Sequence, residues 1–374
     1  MCTTQTIGPY HGAGGKVDKA TSKAYAAREI DIAPTRNRSV VDRLLNLVDR
    51  LPGPSSLWFV VLGMLLLAPA HAWIWATGTR PVGEVEWVLF APALVLAYFM
   101  WLLHLLNRVA GSAFDAFRPA LGGTTDEQER YRLALTSIPD RVAVVTVIVV
   151  EVVFCVSILS TDLSLRQATP VATEFAIWIL YALVMPVIGL LIVHDIRQLR
   201  LVGRLSALAA NVDIFKPAPV TAFSRLTAVT AIGILAFVAL LVATIPISVA
   251  LASESVIPGE IASATAMTVL AVASFVLPLR VMHGRLLEQK LGLVDAAQER
   301  LKLILGRVSE AVEANDLSNA DQLNKTLSSV LAQRDLLAKL PTWPWSAGTF
   351  RGVASAVVLP VAIFVITRLI DQLI

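Results

Sequence analysis

Long apolar runs alternate with polar connections from residue 57 to the carboxyl terminus. The runs are Leu57–Ala76, Trp87–Val109, Val142–Leu159, Phe175–Val193, a stretch within Leu226–Leu251, another within Ile261–Leu279, and Val353–Ile370. About 20 helical residues at 1.5 Å each cross the hydrocarbon core of a bilayer, so each run predicts a membrane-spanning helix. Val142–Leu159 is rich in β-branched residues, but a buried strand of that length is unusual, and helix is the reading. The last run is short between Arg351 and Arg368, roughly 16 residues or some 24 Å, and crosses if Arg368 snorkels to the far interface. The predicted fold class is all-α, a polytopic seven-helix transmembrane bundle with a cytoplasmic helical hairpin between helices 6 and 7.

The polar segments carry patterns of their own. Ser39 and Asp42 resemble a capping-box start, and Val40, Val41, Leu44, Leu45, Val48 and Leu51 form one apolar face opposite Arg43 and Arg50, which predicts a short helix lying on the membrane surface. Pro52-Gly53-Pro54 ends it. In the loop Gly111–Pro139, Thr124 and Glu127 form a second capping box, ahead of a polar helix through Glu129, Arg130, Tyr131 and Arg132. The fourth apolar run continues into His194, Asp195, Arg197, Arg200 and Arg204 as one helix leaving the membrane. The sixth passes without a turn signal into a charged helical segment, Arg280–Leu340.

In that segment Leu286, Leu293, Val294, Ala297, Leu301, Ile304, Leu305, Val308 and Val312 recur at spacings of three and four. Asn315-Asp316 turns the chain, Ser318 with Asp321 caps the return helix, and Leu323, Leu327, Val330, Leu331, Leu337 and Leu340 supply a matching stripe. An antiparallel pair burying its own seam satisfies this pattern, coiled-coil fashion, and packing of the same seam on neighbouring subunits is the alternative. The predicted organisation is a disordered cytoplasmic tail over 1–37, helices 1–6 with the interfacial helix over 38–282, the hairpin over 283–345, and helix 7 over 346–374.

Composition agrees with the hydropathy pattern: 56% of the 374 residues are hydrophobic, 16% are charged, and the mean hydropathy is +0.69. The net charge of +3 is not concentrated in any basic run, so nucleic-acid binding has no electrostatic footprint. The distribution of charge says more. Outer loops hold Arg80 and Arg166, whereas the other side carries Arg28, Arg36, Arg38, Arg43 and Arg50, then Arg118, Arg130 and Arg132, then Arg197, Arg200, Arg204 and Lys216, and finally Arg280, Arg285 and Lys290. By the positive-inside rule the amino terminus and hairpin face the cytoplasm, and seven spans place the carboxyl terminus outside. No secretory signal opens the chain, so the first span is expected to direct insertion. Cys2 and Cys155 make no disulfide framework or cysteine metal site. No zinc HExxH pair, GxSxG elbow, P-loop or dinucleotide fingerprint occurs in a usable context, so neither enzyme activity nor a cofactor is expected.

Two residues inside the spans are candidates for an ion or proton site. Glu151 lies near the centre of span three, where an ionised carboxylate costs at least a few kcal/mol unless it faces a cavity or a partner; a protonated, hydrogen-bonded carboxyl is the structural alternative. His104, in the inner half of span two, is able to pair with it, although a lone histidine without a second ligand at i+3 or i+4 is more often a polar packing contact. Pro92, Pro186, Pro246 and Pro360 lie inside spans and free carbonyls there. Gly233, Ala236, Ala239 and Ala243, with Ala262 and Ala266, offer small faces for close helix contact. Trp343, Trp345 and Arg351, where the chain re-enters the membrane, are read as interface anchors.

The segments PTWPWSAGTFRG, NVDIFKPAPVTAFSRLTA and FRPALGGTTDEQERYRLALTSIP resemble a family of uncharacterised bacterial multi-pass membrane proteins over most of residues 110 to 374. That resemblance implies no activity. The arrangement alone, seven spans with an inside amino terminus and long cytoplasmic helices, is similar to the ligand-gated channels of the insect chemoreceptor type, whose last-span Tyr and Gln-Phe pattern is replaced here by Thr349-Phe350-Arg351 and Gln372-Leu373. High alanine and valine, with more arginine than lysine, point to a bacterial inner membrane. The expected function is an oligomeric channel or transport-like protein in the lipid bilayer. The alternative is a non-conducting scaffold or sensor whose hairpin binds a soluble partner.

Overall fold

The computed structural model describes residues 39–160, 170–251, 256–314 and 318–373; the predicted tail over 1–37 and the turn at Asn315-Asp316 lie outside them. Eleven helices occur among the described residues: α1 (Val40–Val48), α2 (Ser55–Ala76), α3 (Phe90–Phe117), α4 (Thr125–Thr136), α5 (Asp140–Ser160), α6 (Val171–Leu208), α7 (Pro217–Leu251), α8 (Val256–Val276), α9 (Arg280–Glu313), α10 (Ala320–Lys339) and α11 (Ala347–Leu373). Six helical segments are long and apolar enough to cross a membrane: those of α2, α3, α5, α6 and α7, and the one that begins at Ala262 in α8. The described residues form an all-helical fold with the spans an integral membrane protein requires.

Helices α3 and α7 form the centre. α3 packs against α2, α6 and α7, and α7 carries α8 and α11 on its other flank, while α5 touches the bundle through α6. Burial follows this order, with 56% of the apolar window of α3 or α7 inside the protein against 11% for α5. The rest of α5 presents Val144, Val145, Ile148, Val149, Val152, Val153 and Val156 outward. An apolar outer face suits lipid rather than water.

Two glycines permit the tightest crossings. A Cβ at Gly233 of α7 would stand 2.7 Å from Leu102 Cδ1 of α3, and one at Gly189 of α6 would stand 2.5 Å from Val150 Cγ2 of α5. Close approach also lets the Tyr98 hydroxyl donate to the Gly233 carbonyl, so the helices are joined by packing and by a hydrogen bond.

Local start signals form as the sequence dictates. Ser39 Oγ accepts the Asp42 N–H at 3.1 Å. At α4 both arms of the capping box are present, Glu127 N–H to Thr124 Oγ1 at 3.3 Å and Thr124 N–H to Glu127 Oε2 at 3.0 Å. The apolar face of α1 is divided: Leu45 and Val48 are buried in the bundle, whereas Val40 and Leu44 are exposed. Three expectations differ in detail. Pro92 sits in the first turn of α3, where no intrahelical N–H bond is lost, while Pro186 and Pro360 lie inside their helices and the side chain of Pro246 lies outside the described residues. A 3-10 turn, Leu277–Leu279, separates α8 from α9, because Pro278 lacks the N–H that an unbroken helix would use. The N-cap of α10 is Asn319, which makes no side-chain capping bond.

α9 and α10 pack as an antiparallel pair. Their seam is shallow: Met282 and Leu286 at the root join the bundle core, Ala297 and Leu337 are buried, but Leu305 and Val312 of the predicted stripe are exposed. The root is held more firmly. Arg285 Nη1 donates to the Ser206 and Ala207 carbonyls at 2.9 and 3.3 Å, and Gln289 Nε2 donates to the Val212 carbonyl at 2.6 Å. The Ser206 and Ala207 carbonyls are orphaned in the last turn of α6, and Val212 lies in the connection that follows it. Lys290 Nζ does the same for α10, donating to Ala338 and Leu340 at 2.6 and 2.8 Å.

Candidate functional site

Where α3 leaves the apolar part of the bundle, α1 and α4 lie beside it and enclose a cleft of about 390 Å³. Leu45 and Val48 fix α1 by burial, and the α1 Asp42 carboxylate accepts the Ile138 N–H at 3.3 Å, tying α1 to the segment that follows α4. Along the wall formed by α3 lie His104, Asn107, Arg108, Gly111, Ser112 and Asp115, a stripe at spacings of three and four. Asp49, just past α1, reaches across: its Oδ1 is 3.3 Å from His104 Nε2. Nε2 is buried and, at that angle, makes no hydrogen bond. The contact is therefore an ion pair when His104 is protonated and, in the neutral tautomer that carries its hydrogen on Nδ1, a meeting of two acceptors.

Behind the cleft the polar groups continue inward. Asn107 Oδ1 lies 2.7 Å from His194 Nε2 of α6, and Gln198, one turn further along α6, donates to the Leu135 carbonyl at 2.8 Å while lying 2.9 Å from the same His194 Nε2. His194 and Gln198 are each 1% exposed. With the amide oriented as drawn, His194 Nε2–H donates to Asn107 Oδ1, and Nδ1 is left as a buried acceptor with no donor. Asp195 Oδ1, Gln198 Oε1 and Ser206 Oγ are buried without a hydrogen-bond partner as well. Several unpaired polar atoms on one stretch of one helix cost about 1–3 kcal/mol each unless something satisfies them.

The two candidate residues from the sequence are not brought together. His104 turns to Asp49, and Glu151, half-buried on α5, has an Oε1 without a hydrogen-bond partner among the described residues. Val150, next to it, packs on Gly189, so Glu151 flanks the α5–α6 contact. The re-entry residues form a ladder: the His283 and Trp343 rings stack at 4.0 Å and 7°, Trp343 and Trp345 at 4.3 Å and 15°, and Phe275 and Trp345 at 5.1 Å and 24°. Arg351 is exposed beyond it.

Two further clefts lie at the hairpin root, of about 530 Å³ beside Asn211, Asp213 and Lys216, and of about 210 Å³ beside Arg285, Glu288 and Gln289. Burial lowers the pKa of Arg285, and the Glu288 carboxylate works against that shift. At the opposite end of the bundle His71 is a bridge: Nδ1 meets the Leu67 carbonyl at 2.9 Å, and Nε2 accepts the Glu86 N–H at 3.1 Å. Among the described residues no group of three or more His, Cys, Asp or Glu is placed to hold a metal ion.

Asp49, Asn107 and Gln198 are the members that sequence reading passes over, and His194 and Asp195 are read there only as part of a helix leaving the membrane. The available signal was the i, i+4 pair His194 and Gln198 with Asp195 between them, directly beyond an apolar run. No protein-family model matches the chain, nor does any curated protein or any solved structure.

Proposed function

We propose that this protein is a transport-type membrane protein, channel or carrier, in which the α1–α3–α4 cleft is the inner vestibule. The observation that carries the proposal is the polar string from that cleft through His104 and Asn107 to His194 and Gln198, in which buried atoms await partners that water or a passing solute would supply. On this reading α11 supplies a seventh span beside the six longer ones, and the positive-inside rule then puts the cleft and the hairpin on the cytoplasmic side and the carboxyl terminus outside. The resemblance to bacterial multi-pass proteins is in keeping with an inner membrane. A homo-oligomer would cover the outer face of α5 and give the half-buried Glu151 a protein neighbour.

A second reading has its own support. Leu303, Leu305, Val312 and Leu336 are exposed on the hairpin, and a soluble partner laid along it would make the protein a scaffold or sensor. Purified protein in liposomes separates the two. Transport predicts solute or proton flux above empty liposomes, with a pH profile that Glu151→Gln reshapes. Flux equal to empty liposomes across ions and pH gradients refutes transport and leaves the scaffold.

A further inference from the structure

We propose that the α1–α3–α4 cleft binds a primary ammonium group. The inference rests on the vestibule reading above only in taking the cleft as a solute site, and it is argued from the account of donors and acceptors. Four neutral side chains of the lining have already given a hydrogen to their own helix: Ser112 Oγ donates to the Val109 carbonyl at 2.9 Å, Thr136 Oγ1 to Arg132 at 2.9 Å, Ser137 Oγ to Leu133 at 2.6 Å, and Asn46 Nδ2 to Asp42 at 2.6 Å. Hydroxyls whose one hydrogen is used offer only lone pairs. The three hydroxyls therefore present acceptors, joined by the carboxylates of Asp49 and Asp115, while the amides of Asn46 and Asn107 keep N–H groups as well.

The cations of the lining do not cancel this character. Arg132 Nε is bound to Asp115 Oδ1 at 3.2 Å and its Nη1 lies 3.9 Å from Glu129, which leaves Arg108, exposed on α3, and His104. His104 is 3% exposed and lines the cleft, and its Nε2 stands 3.3 Å from Asp49 Oδ1 with no hydrogen bond made. With the imidazole hydrogen on Nδ1, Nε2 and the Asp49 carboxylate are two acceptors at that separation and call for a donor between or beside them. An ammonium carries three N–H donors on one positive charge, which matches a carboxylate, an imidazole lone pair and a hydroxyl converging on one space. A phosphate or carboxylate would find Arg108 at the edge of the cleft but would face the carboxylates of Asp49 and Asp115 and the hydroxyl lone pairs inside it. The cleft volume of about 390 Å³ suits a small molecule.

A primary ammonium has two sources at this position, a soluble amine and the headgroup of an aminophospholipid. The test is equilibrium binding by calorimetry on the purified full chain, using 1,4-diaminobutane, its fully N-methylated analogue and inorganic phosphate, and repeated in nanodiscs with and without phosphatidylethanolamine. The expected result is saturable diamine binding in headgroup-free discs, at least tenfold weaker in Asp49→Asn, with no binding of the methylated analogue or of phosphate. Diamine binding that disappears when phosphatidylethanolamine is present, and returns without it, assigns the headgroup as occupant and supports the same chemistry. Asp115→Asn serves as second variant if Asp49→Asn unfolds, and must weaken the diamine at least threefold. No binding under either lipid condition, equal binding of the methylated analogue, preference for phosphate, or diamine affinity unchanged in the folded variants overturns the inference. Because no gradient is involved, binding without flux would refute only the transport reading, and flux without binding only this one.

Discussion

The packing of α3 on α7 makes a sharp prediction at Gly233. In Gly233→Ala the new methyl would lie 2.7 and 2.9 Å from the two Cδ atoms of Leu102 and 3.4 Å from its Cγ, whereas carbon atoms rest at about 3.5–4.0 Å. The overlap is about 1 Å on two atoms at once. Leu102 is 2% exposed, so it has no free space to swing into, and the helices must part. Overpacking of this kind costs about 1–3 kcal/mol, and parting α3 from α7 also strains the Tyr98 hydroxyl bond to the Gly233 carbonyl. Leu102→Ala alone should cost about 2–5 kcal/mol through the cavity it leaves. Together the two changes should cost less than their sum by about 1–3 kcal/mol, because the inserted methyl enters the space vacated by Leu102. Thermal and denaturant unfolding of the four proteins in one detergent measures this. Strict additivity, or a neutral Gly233→Ala, would refute the close crossing.

The remaining predictions concern the hairpin and the topology. Arg285→Ala should free the Ser206 and Ala207 carbonyls and weaken the root by about 1.5–3 kcal/mol; limited proteolysis should cut α9–α10 several times faster while the bundle fragment persists, and equal rates would count against the clamp. Leu301→Asp or Leu327→Asp places a carboxylate in a half-buried seam and should loosen the α9–α10 pair by about 1–3 kcal/mol without preventing membrane insertion; unchanged melting and oligomeric size in both variants would mean that the seam does not hold the pair. A carboxyl-terminal reporter active only in the cytoplasm should stay silent, and a signal would require an even number of spans.

What the sequence could convey depended on how local the cause was. The Ser39 cap and the Thr124–Glu127 box form within four residues of chain, and both were legible. The apolar runs were legible because lipid imposes one length on any helix that crosses it. The partner of His104 was not, since Asp49 precedes the first span and meets His104 only after α1 folds back on α3. His194 and Asp195 read as part of a helix leaving the membrane, yet α3 and α4 cover that stretch, and Gln198 reaches the Leu135 carbonyl of α4. Pro92 was placed correctly inside an apolar run, but whether it freed a carbonyl depended on where α3 began.

The contrast between two helices is the reason for proposing the functional site at the α1 end of the bundle. α5 shows what a bilayer alone demands, a nearly unbroken outer face of valine and isoleucine with one half-buried carboxyl at its flank. α6 is comparably apolar as far as Val193 and then buries His194, Asp195 and Gln198 in succession, each with an atom lacking a partner. Leucine at these positions would relieve that desolvation and keep the packing, since replacing a buried polar group by an apolar one of similar shape is often neutral or stabilising. On the proposed transport reading, water or a solute entering from the α1–α3–α4 cleft would reach these atoms, because Asn107 belongs both to the cleft wall and to the His194 hydrogen bond. Anything that displaces or protonates a group at His104 is therefore one residue pair away from the buried atoms of α6.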